Sequence, residues 1–276
     1  MKTDWIRVTR QRLCVICGKP DWCMVAADGS AAICQRIESG KRAGQAGWLH
    51  RLTEDRPAIR LPPKRRSKPK LQRNWQSLAA KFHAAMTDDG WRVLAADLGL
   101  SIETLRAMQV GWDGSRSRYT FPMRNAAGDV VGTRTRERSG KRSVSGSDGN
   151  GLFFIPSMLT ADYLVVCEGP TDMAALVDAG FGSSIGKPSC KLGDSYVMEV
   201  IRQLRPAAVL LIPDSDAAGL QGFSILANEI LQSGVMPFER IDSLTPPEPL
   251  NDVRQWLQKN RNHLAGRIAA KLKAIK

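Results

Sequence analysis

No apolar run in this 276-residue chain approaches the ~20 residues needed to span a bilayer. The amino terminus, Met1-Lys2-Thr3-Asp4-Trp5, lacks a signal-peptide apolar region. A cytoplasmic protein without a membrane partner is therefore expected. A phosphate-binding P-loop is missing too. The run Gly182 to Pro188 has three residues rather than four between its glycines, and Pro188 stands where a Ser or Thr is needed, which argues against an ATPase motor. Disulfides are not expected in a reducing compartment, so the six cysteines need another reading.

What is abundant is positive charge, and it is unevenly spread. The net charge is +13, yet residues 1–73 carry 17 Lys/Arg against 6 acids while residues 161–250 carry 5 against 12. A polyanion held by basic flanks and bridged by cations to an acidic segment fits that asymmetry, because Lys/Arg neutralisation of phosphates supplies most non-specific nucleic-acid affinity.

The acidic segment contains two apolar runs that end in acids. Leu164-Val165-Val166-Cys167 leads to Glu168-Gly169, and Val209-Leu210-Leu211-Ile212-Pro213 leads to Asp214-Ser215-Asp216; a helical pattern follows each. Such runs read as buried strands of a parallel sheet, whose ligands sit beyond the carboxyl ends of the strands. Glu168, Asp214 and Asp216 would converge there. Crowded carboxylates raise one another's pKa, a cost relieved by divalent cations, and a magnesium site is the expectation, with manganese as a substitute.

Four cysteines cluster near the amino terminus. Cys14 and Cys17 have the two-residue spacing of a zinc knuckle, followed by Gly18. Asp28-Gly29 is a preferred two-residue hairpin turn, and counting outward pairs Ala27 with Ser30, Val25 with Ala32, and Cys23 with Cys34. Cross-strand partners share a face with Cβ atoms ~4.5–5.5 Å apart, so Cys23 and Cys34 would complete a tetrahedral zinc site. Such a metal would be structural, supplying folding energy that a module of this size lacks. Cys167, within a strand, and Cys190, in a loop, read as unpaired thiols.

Between these segments, Arg56 to Arg73 is rich in proline and like charge and reads as an extended linker. Asn74 then caps a helix carrying Trp75, Leu78, Phe82 and Met86; a second runs through Trp91, Leu94 and Leu98 to Gly99; a third starts at Ser101. His83 reads as a helix-face residue rather than a ligand. Arg118–Met123 and Val130–Arg136 form a hairpin whose second strand presents a basic face. In the acidic segment Thr171 or Asp172 caps a helix to Gly180, Lys187 ends a short strand, helices cover about Gly193–Leu204 and Ala217–Ser233, and a strand covers Pro237–Ile241. Lys187 could steady a nucleotide phosphate or be a plain loop lysine. Leu264, Ile268, Leu272 and Ile275 stripe a last helix, to pack on the core or dock on a partner.

Glu168-Gly169-Pro170-Thr171-Asp172 followed by Asp214-Ser215-Asp216-Ala217-Ala218-Gly219 resembles the Toprim domain, and the cysteine module resembles the zinc ribbon of bacterial and phage primases, although it lacks a second closely spaced ligand pair. The resemblance covers nearly the whole chain. It implies a zinc ribbon over residues 1–50, a linker over 51–73, the α+β basic amino-terminal lobe of a primase core over 74–160, an α/β Toprim domain over 161–250, and a basic helical segment over 251–276. It further implies a DNA primase of phage or mobile-element type that joins ribonucleoside triphosphates on a single-stranded DNA template by two-metal nucleotidyl transfer, a replicative helicase being a partner in trans. Asp214 and Asp216 would be the principal magnesium ligands, with Glu168 sharing a metal or acting as general base. Arg134, Arg136, Lys141 and Arg142 would contact phosphates. Asp252 would bind a second metal through water, or be an ordinary first-turn helix acid. A zinc/Toprim recombination-mediator clamp without catalysis and a Toprim nuclease are the alternatives; a topoisomerase is excluded by size.

Overall fold

The computed structural model describes residues 4–52, 73–137, 140–144 and 146–275, with the backbone alone for 140–143. The chain divides into two compact units, residues 1–70 and 71–276. The expected linker falls almost wholly outside the described residues.

The first unit is a four-stranded antiparallel sheet in the order β1 (Trp5–Arg7), β2 (Met24–Ala26), β3 (Ala31–Cys34), β4 (Trp48–Arg51). Asp28 turns the central hairpin by accepting from the Ser30 N–H and hydroxyl at 3.0 and 2.7 Å, with Gly29 in the left-handed region at φ 75°. The observed register, Met24 with Ile33 and Val25 with Ala32, is the one counted from the turn, and it carries Cys23 to a position opposite Cys34. The small core consists of Val8, Val25, Ala32 and the cysteines.

The second unit begins with α1 (Trp75–Ala84), α2 (Asp88–Leu98) and α3 (Ile102–Ala107). Each has a side-chain cap on its first-turn amides: Asn74, Thr87 and Ser101 accept from Ser77, Gly90 and Thr104. A four-stranded antiparallel sheet follows, in the order β5 (Gly111–Asp113), β6 (Arg118–Arg124), β7 (Val130–Glu137), β8 (Gly140–Ser143). Then β9 (Leu164–Glu168), α4 (Pro170–Asp178), β10 (Ser184–Lys187), α5 (Asp194–Leu204), β11 (Val209–Ile212), α6 (Ala217–Gln232) and β12 (Ile241–Ser243) build a parallel sheet ordered β10-β9-β11-β12, and α7 (Val253–Ile275) closes the chain. The class is mixed α/β.

Two local expectations are corrected and one left open is decided. Neither Thr171 nor Asp172 caps α4: the helix starts at Pro170, whose missing N–H costs nothing at a first helical position, and Gly169 stands at the cap without a side-chain bond. Pro237–Ile241 is not a strand, because Phe238–Arg240 forms a single 3-10 turn and β12 starts only at Ile241. The carboxy-terminal stripe packs on the core. Leu264, Ile268, Leu272 and Ile275 are buried there, after a break in α7 at Asn260 whose side chain accepts from the His263 N–H at 3.0 Å.

One apolar core unites residues 74–160, 161–250 and 251–276. Trp91, Leu94 and Leu98 of α2, Phe121 and Met123 of β6, Met173 and Leu176 of α4 and Trp256 of α7 belong to the same buried cluster. Helix α4 is buried over every residue from Pro170 to Leu176, including the polar Thr171 and Asp172. Asp178 near its end accepts from the Ser101 N–H at 2.8 Å and the Ser101 and Thr104 hydroxyls at 2.5 Å each, so the cap of α3 is also the anchor of α4. Among the described residues no helix is long and apolar enough to cross a membrane.

Candidate functional site at the strand ends

The register of the parallel sheet brings the chemistry to one edge. Glu168 pairs with Lys187 at the ends of β9 and β10, and Ile212, two residues before Asp214, pairs with Cys167. Gly169 makes the turn into α4 at φ 84° and donates to the Lys187 carbonyl at 2.7 Å. A side chain at Gly219 would strike the Asp214 carbonyl oxygen at 2.6 Å, so only glycine lets the Asp214-Ser215-Asp216 turn close on the start of α6.

Glu168 and Asp214 are half-buried. Burial pushes the Cys167 thiol well up, and the negative fields of Asp172, Asp214 and Glu168 add to it. Asp216 is exposed, and its Oδ1 accepts from the Gly219 N–H at 2.6 Å as the cap of α6. The loop before α7 is stitched to this turn: Ser215 donates from its N–H to Asn251 O at 2.9 Å and from its hydroxyl to Leu250 O at 3.0 Å. Asp252 thereby reaches the same edge, where its Oδ1 accepts from the Gln255 N–H at 2.7 Å. Asp172 is a site neighbour that the sequence suggested only as a cap. It is buried and accepts from the Arg254 N–H at 2.9 Å, pinning α7 beneath the acidic edge.

Among the described residues, the acids do not form a set whose oxygens all lie within 4.8 Å of one another. That spacing is too open for a closed single-ion cage.

Arginine enters from the antiparallel sheet. Arg134 pairs with Phe121 in register, and its Nη1 donates to the Pro188 carbonyl just past β10. Burial lowers its pKa against the opposing pull of the Glu168 charge, so the guanidinium lies in the field of that acid. Its Nε is buried with no hydrogen-bond partner among the described residues. Arg136 pairs with Asp97 of α2 at 3.3 Å. The expected basic face is thus divided: Arg134 bonds the Pro188 carbonyl just past the end of β10 and Arg136 pairs with Asp97 of α2. Lys141 and Arg142 pair with Arg136 and Thr135 through the backbone, and their side chains lie outside the described residues.

Lys187 is not exposed. It is fully buried, its ammonium in an ion pair with Asp194, 3.2 Å from the Cys190 carbonyl and 4.9 Å from the Phe223 ring centroid. Its partners come from the loop after β10, from α5 and from α6, which only tertiary packing brings together. His83 likewise bonds the Val110 carbonyl at 2.8 Å and packs edge-on against Trp91, as a helix-face histidine.

In the first unit the four Sγ atoms of Cys14, Cys17, Cys23 and Cys34 lie within 4.8 Å of one another. Cys17 to Cys23 is 3.8 Å and Cys23 to Cys34 is 3.9 Å. A tetrahedron of sulfurs at the usual zinc–sulfur distance has edges of about 3.8 Å. The N–H groups of Gln35, Arg36 and Ile37 approach the Cys23 and Cys34 sulfurs at 3.3–3.5 Å. Burial raises the Cys23 thiol to about 12; burial opposes ionisation of Cys17 as well, but the Lys19 N–H and the neighbouring thiols bring it down to about 7. The cluster can hold a metal ion.

With this geometry the chain can be compared with known proteins. No protein-family model matches the sequence and no curated protein matches it. Solved structures do. A DnaG primase catalytic domain bound to single-stranded DNA matches with TM-score 0.58 at 16% identity, over 71% of this chain and 77% of that one. The fold is that of a DnaG primase catalytic core. The RNA polymerase domain of Mycobacterium tuberculosis DnaG, in complex with a double-stranded DNA oligomer bearing a 6-nucleotide overhang, matches with TM-score 0.55 at 16% identity, over 74% and 80% of the two chains. The Aquifex aeolicus primase with zinc-binding and RNA polymerase domains matches with TM-score 0.57 at 13% identity, over 70% of this chain and 60% of that one.

Proposed function

We propose that this chain is a DNA primase that joins ribonucleotides on a single-stranded DNA template, with the DnaG-like parallel sheet acting as a Toprim domain. The observation that carries the reading is the meeting of Glu168 and Asp214 at adjacent strand ends with Arg134 beside them, in a fold of this kind. Magnesium, held by Asp214 and Asp216 with Glu168, would lower the pKa of the attacking 3′-hydroxyl and stabilise the pyrophosphate leaving group. Arg134 fits a phosphate, since its unsatisfied Nε needs an acceptor oxygen and a guanidinium binds phosphate in a fork. Glu168 either shares a metal or accepts the hydroxyl proton. Asp252, in reach of the Asp214–Asp216 turn, would hold a second ion through water. Arg136, Lys141 and Arg142 would hold the template by its phosphates. Lys187, locked to Asp194, would steady the phosphate site indirectly by fixing the end of β10 rather than by contact.

The cysteine cluster is proposed as a structural zinc site. Four thiols at tetrahedral spacing in a small module give the metal a folding role. Incubation with single-stranded DNA, magnesium and labelled ribonucleotides tests the function. New oligoribonucleotides support the primase, shortened DNA would instead make the chain a nuclease, and neither product would leave a DNA clamp.

A further inference from the structure

The antiparallel sheet carries a cross-strand row that the strand-end chemistry does not use. Trp112 of β5 pairs with Tyr119 of β6, and Tyr119 pairs with Arg136 of β7. Directly paired residues share one face of a sheet, so two aromatic rings and a guanidinium stand side by side. The rings meet edge to face with centroids 4.9 Å apart. Neither is fully buried. Trp112 borders three surface clefts, of about 930, 410 and 280 Å³, so its indole meets open space on more than one side.

The largest cleft also contains Arg116 and Arg136, and the next contains Arg73, Lys81 and Arg116. The acids of these walls are already committed: Asp97 to Arg136, and Asp113 and Glu137 to the buried Arg118. Arg73, Lys81 and Arg116 enter no ion pair among the described residues, which gives the 410 Å³ cleft surplus positive charge, while Glu137 in the largest is held by Arg118 and leaves Arg116 there to meet an anion. The row also has a direction. Two residues along β7 from Arg136, on the same face, stands Arg134, which bonds the Pro188 carbonyl next to Lys187, the register partner of Glu168.

We infer that Trp112 and Tyr119 form a stacking step for an unpaired base of a single strand, with Arg116 and Arg136 on its phosphates, upstream of the acidic edge. An aromatic surface beside a cationic groove is the arrangement that binds single strands without reading their sequence, since every base has a π-face. This placement rests on the single-strand template reading above and adds where the strand's bases are held.

The test compares binding of an oligothymidylate with that of an abasic strand of the same length, using the full chain without nucleotides or magnesium. The native protein should favour the thymidylate by roughly 5- to 100-fold, the range one stacked base supplies. Trp112→Leu should collapse that ratio toward unity with little effect on the abasic strand, and Trp112→Phe should restore part of it. Arg116→Ala should weaken both strands equally. Equal affinity of the native protein for the two strands would overturn the inference, and that comparison needs no variant to fold. So would a Trp112→Leu protein that keeps the native ratio. Because neither arm involves primer synthesis, a chain that stacks bases but makes no primers would contradict only the proposed activity.

Discussion

The Arg134 guanidinium, carried by a strand of the antiparallel sheet, lies in the field of Glu168 at the end of a parallel strand and bonds the Pro188 carbonyl beyond the neighbouring strand. It therefore links the two sheets at the point where the acids gather. A cation there lowers the repulsion among the carboxylates and offers a phosphate ligand on the same side as the strand ends.

Arg134 and its near neighbour Arg136 should consequently behave differently when changed. Arg134→Gln should lower primer synthesis by at least about tenfold while single-strand affinity changes little, because the proposed function gives it a reacting phosphate to hold. Arg136→Ala should weaken single-strand binding for all sequences and flatten its salt dependence by about 0.7 in log-log slope if one phosphate contact is lost. Binding titrations at several salt concentrations beside a primer assay separate the two; equal effects of both changes on both assays would contradict the division.

Lys187 gives a stability prediction. Removing one partner of a buried ion pair leaves an uncompensated charge and typically costs about 3–5 kcal/mol. Lys187→Met should show a loss of that order in denaturant unfolding, and adding Asp194→Asn should recover part of it, because the stranded carboxylate is then gone. A single variant as stable as the native chain would show that the pair is dispensable.

The Asp113–Arg118–Glu137 group gives a pH prediction. Burial alone would raise Asp113, but the Ser115 hydroxyl and Arg118 outweigh it and hold the carboxyl below its ordinary value. A carboxyl depressed in the folded state contributes stability that is present above its unfolded pKa, near 3.8, and that is lost as pH falls through the folded value. Asp113→Asn should therefore destabilise the protein at neutral pH and narrow its difference from the native chain below about pH 4. Unfolding midpoints across that range check the sign.

The cysteine cluster predicts about one zinc per chain, since four thiolates fill a tetrahedral site. Cys14→Ser or Cys34→Ser should release it and loosen residues 1–50 while residues 74–275 keep their hydrogen-exchange protection. Freshly purified native protein without zinc would contradict the assignment.

Much of this was legible in the sequence because it is local. Apolar strands ending in Glu168 and Asp214, the helix caps Asn74 and Ser101, and the Asp28-Gly29 turn each announce themselves within a few residues, and the cysteine register follows from the turn by counting. Contacts spanning many residues were not legible. Nothing near Lys187 signals that Asp194 and Phe223 will enclose it, and nothing near Asp172 signals that the start of α7, some eighty residues on, will rest on its carboxylate. The alternation in β7 showed that Arg134 and Arg136 share a face, but only the packing of the parallel sheet and α2 gives that face two environments. The Trp112–Tyr119 pair was missed because β5 is three residues long and carries no alternation to read.

Primer synthesis by the native chain against Asp214→Asn tests the central claim most directly. The amide keeps the size of the carboxylate and removes the charge, so oligoribonucleotide formation on single-stranded DNA in magnesium should fall by orders of magnitude while template affinity is retained; Glu168→Gln should do the same. Native-rate synthesis by Asp214→Asn would contradict the account, and so would a native protein that makes no primers at all.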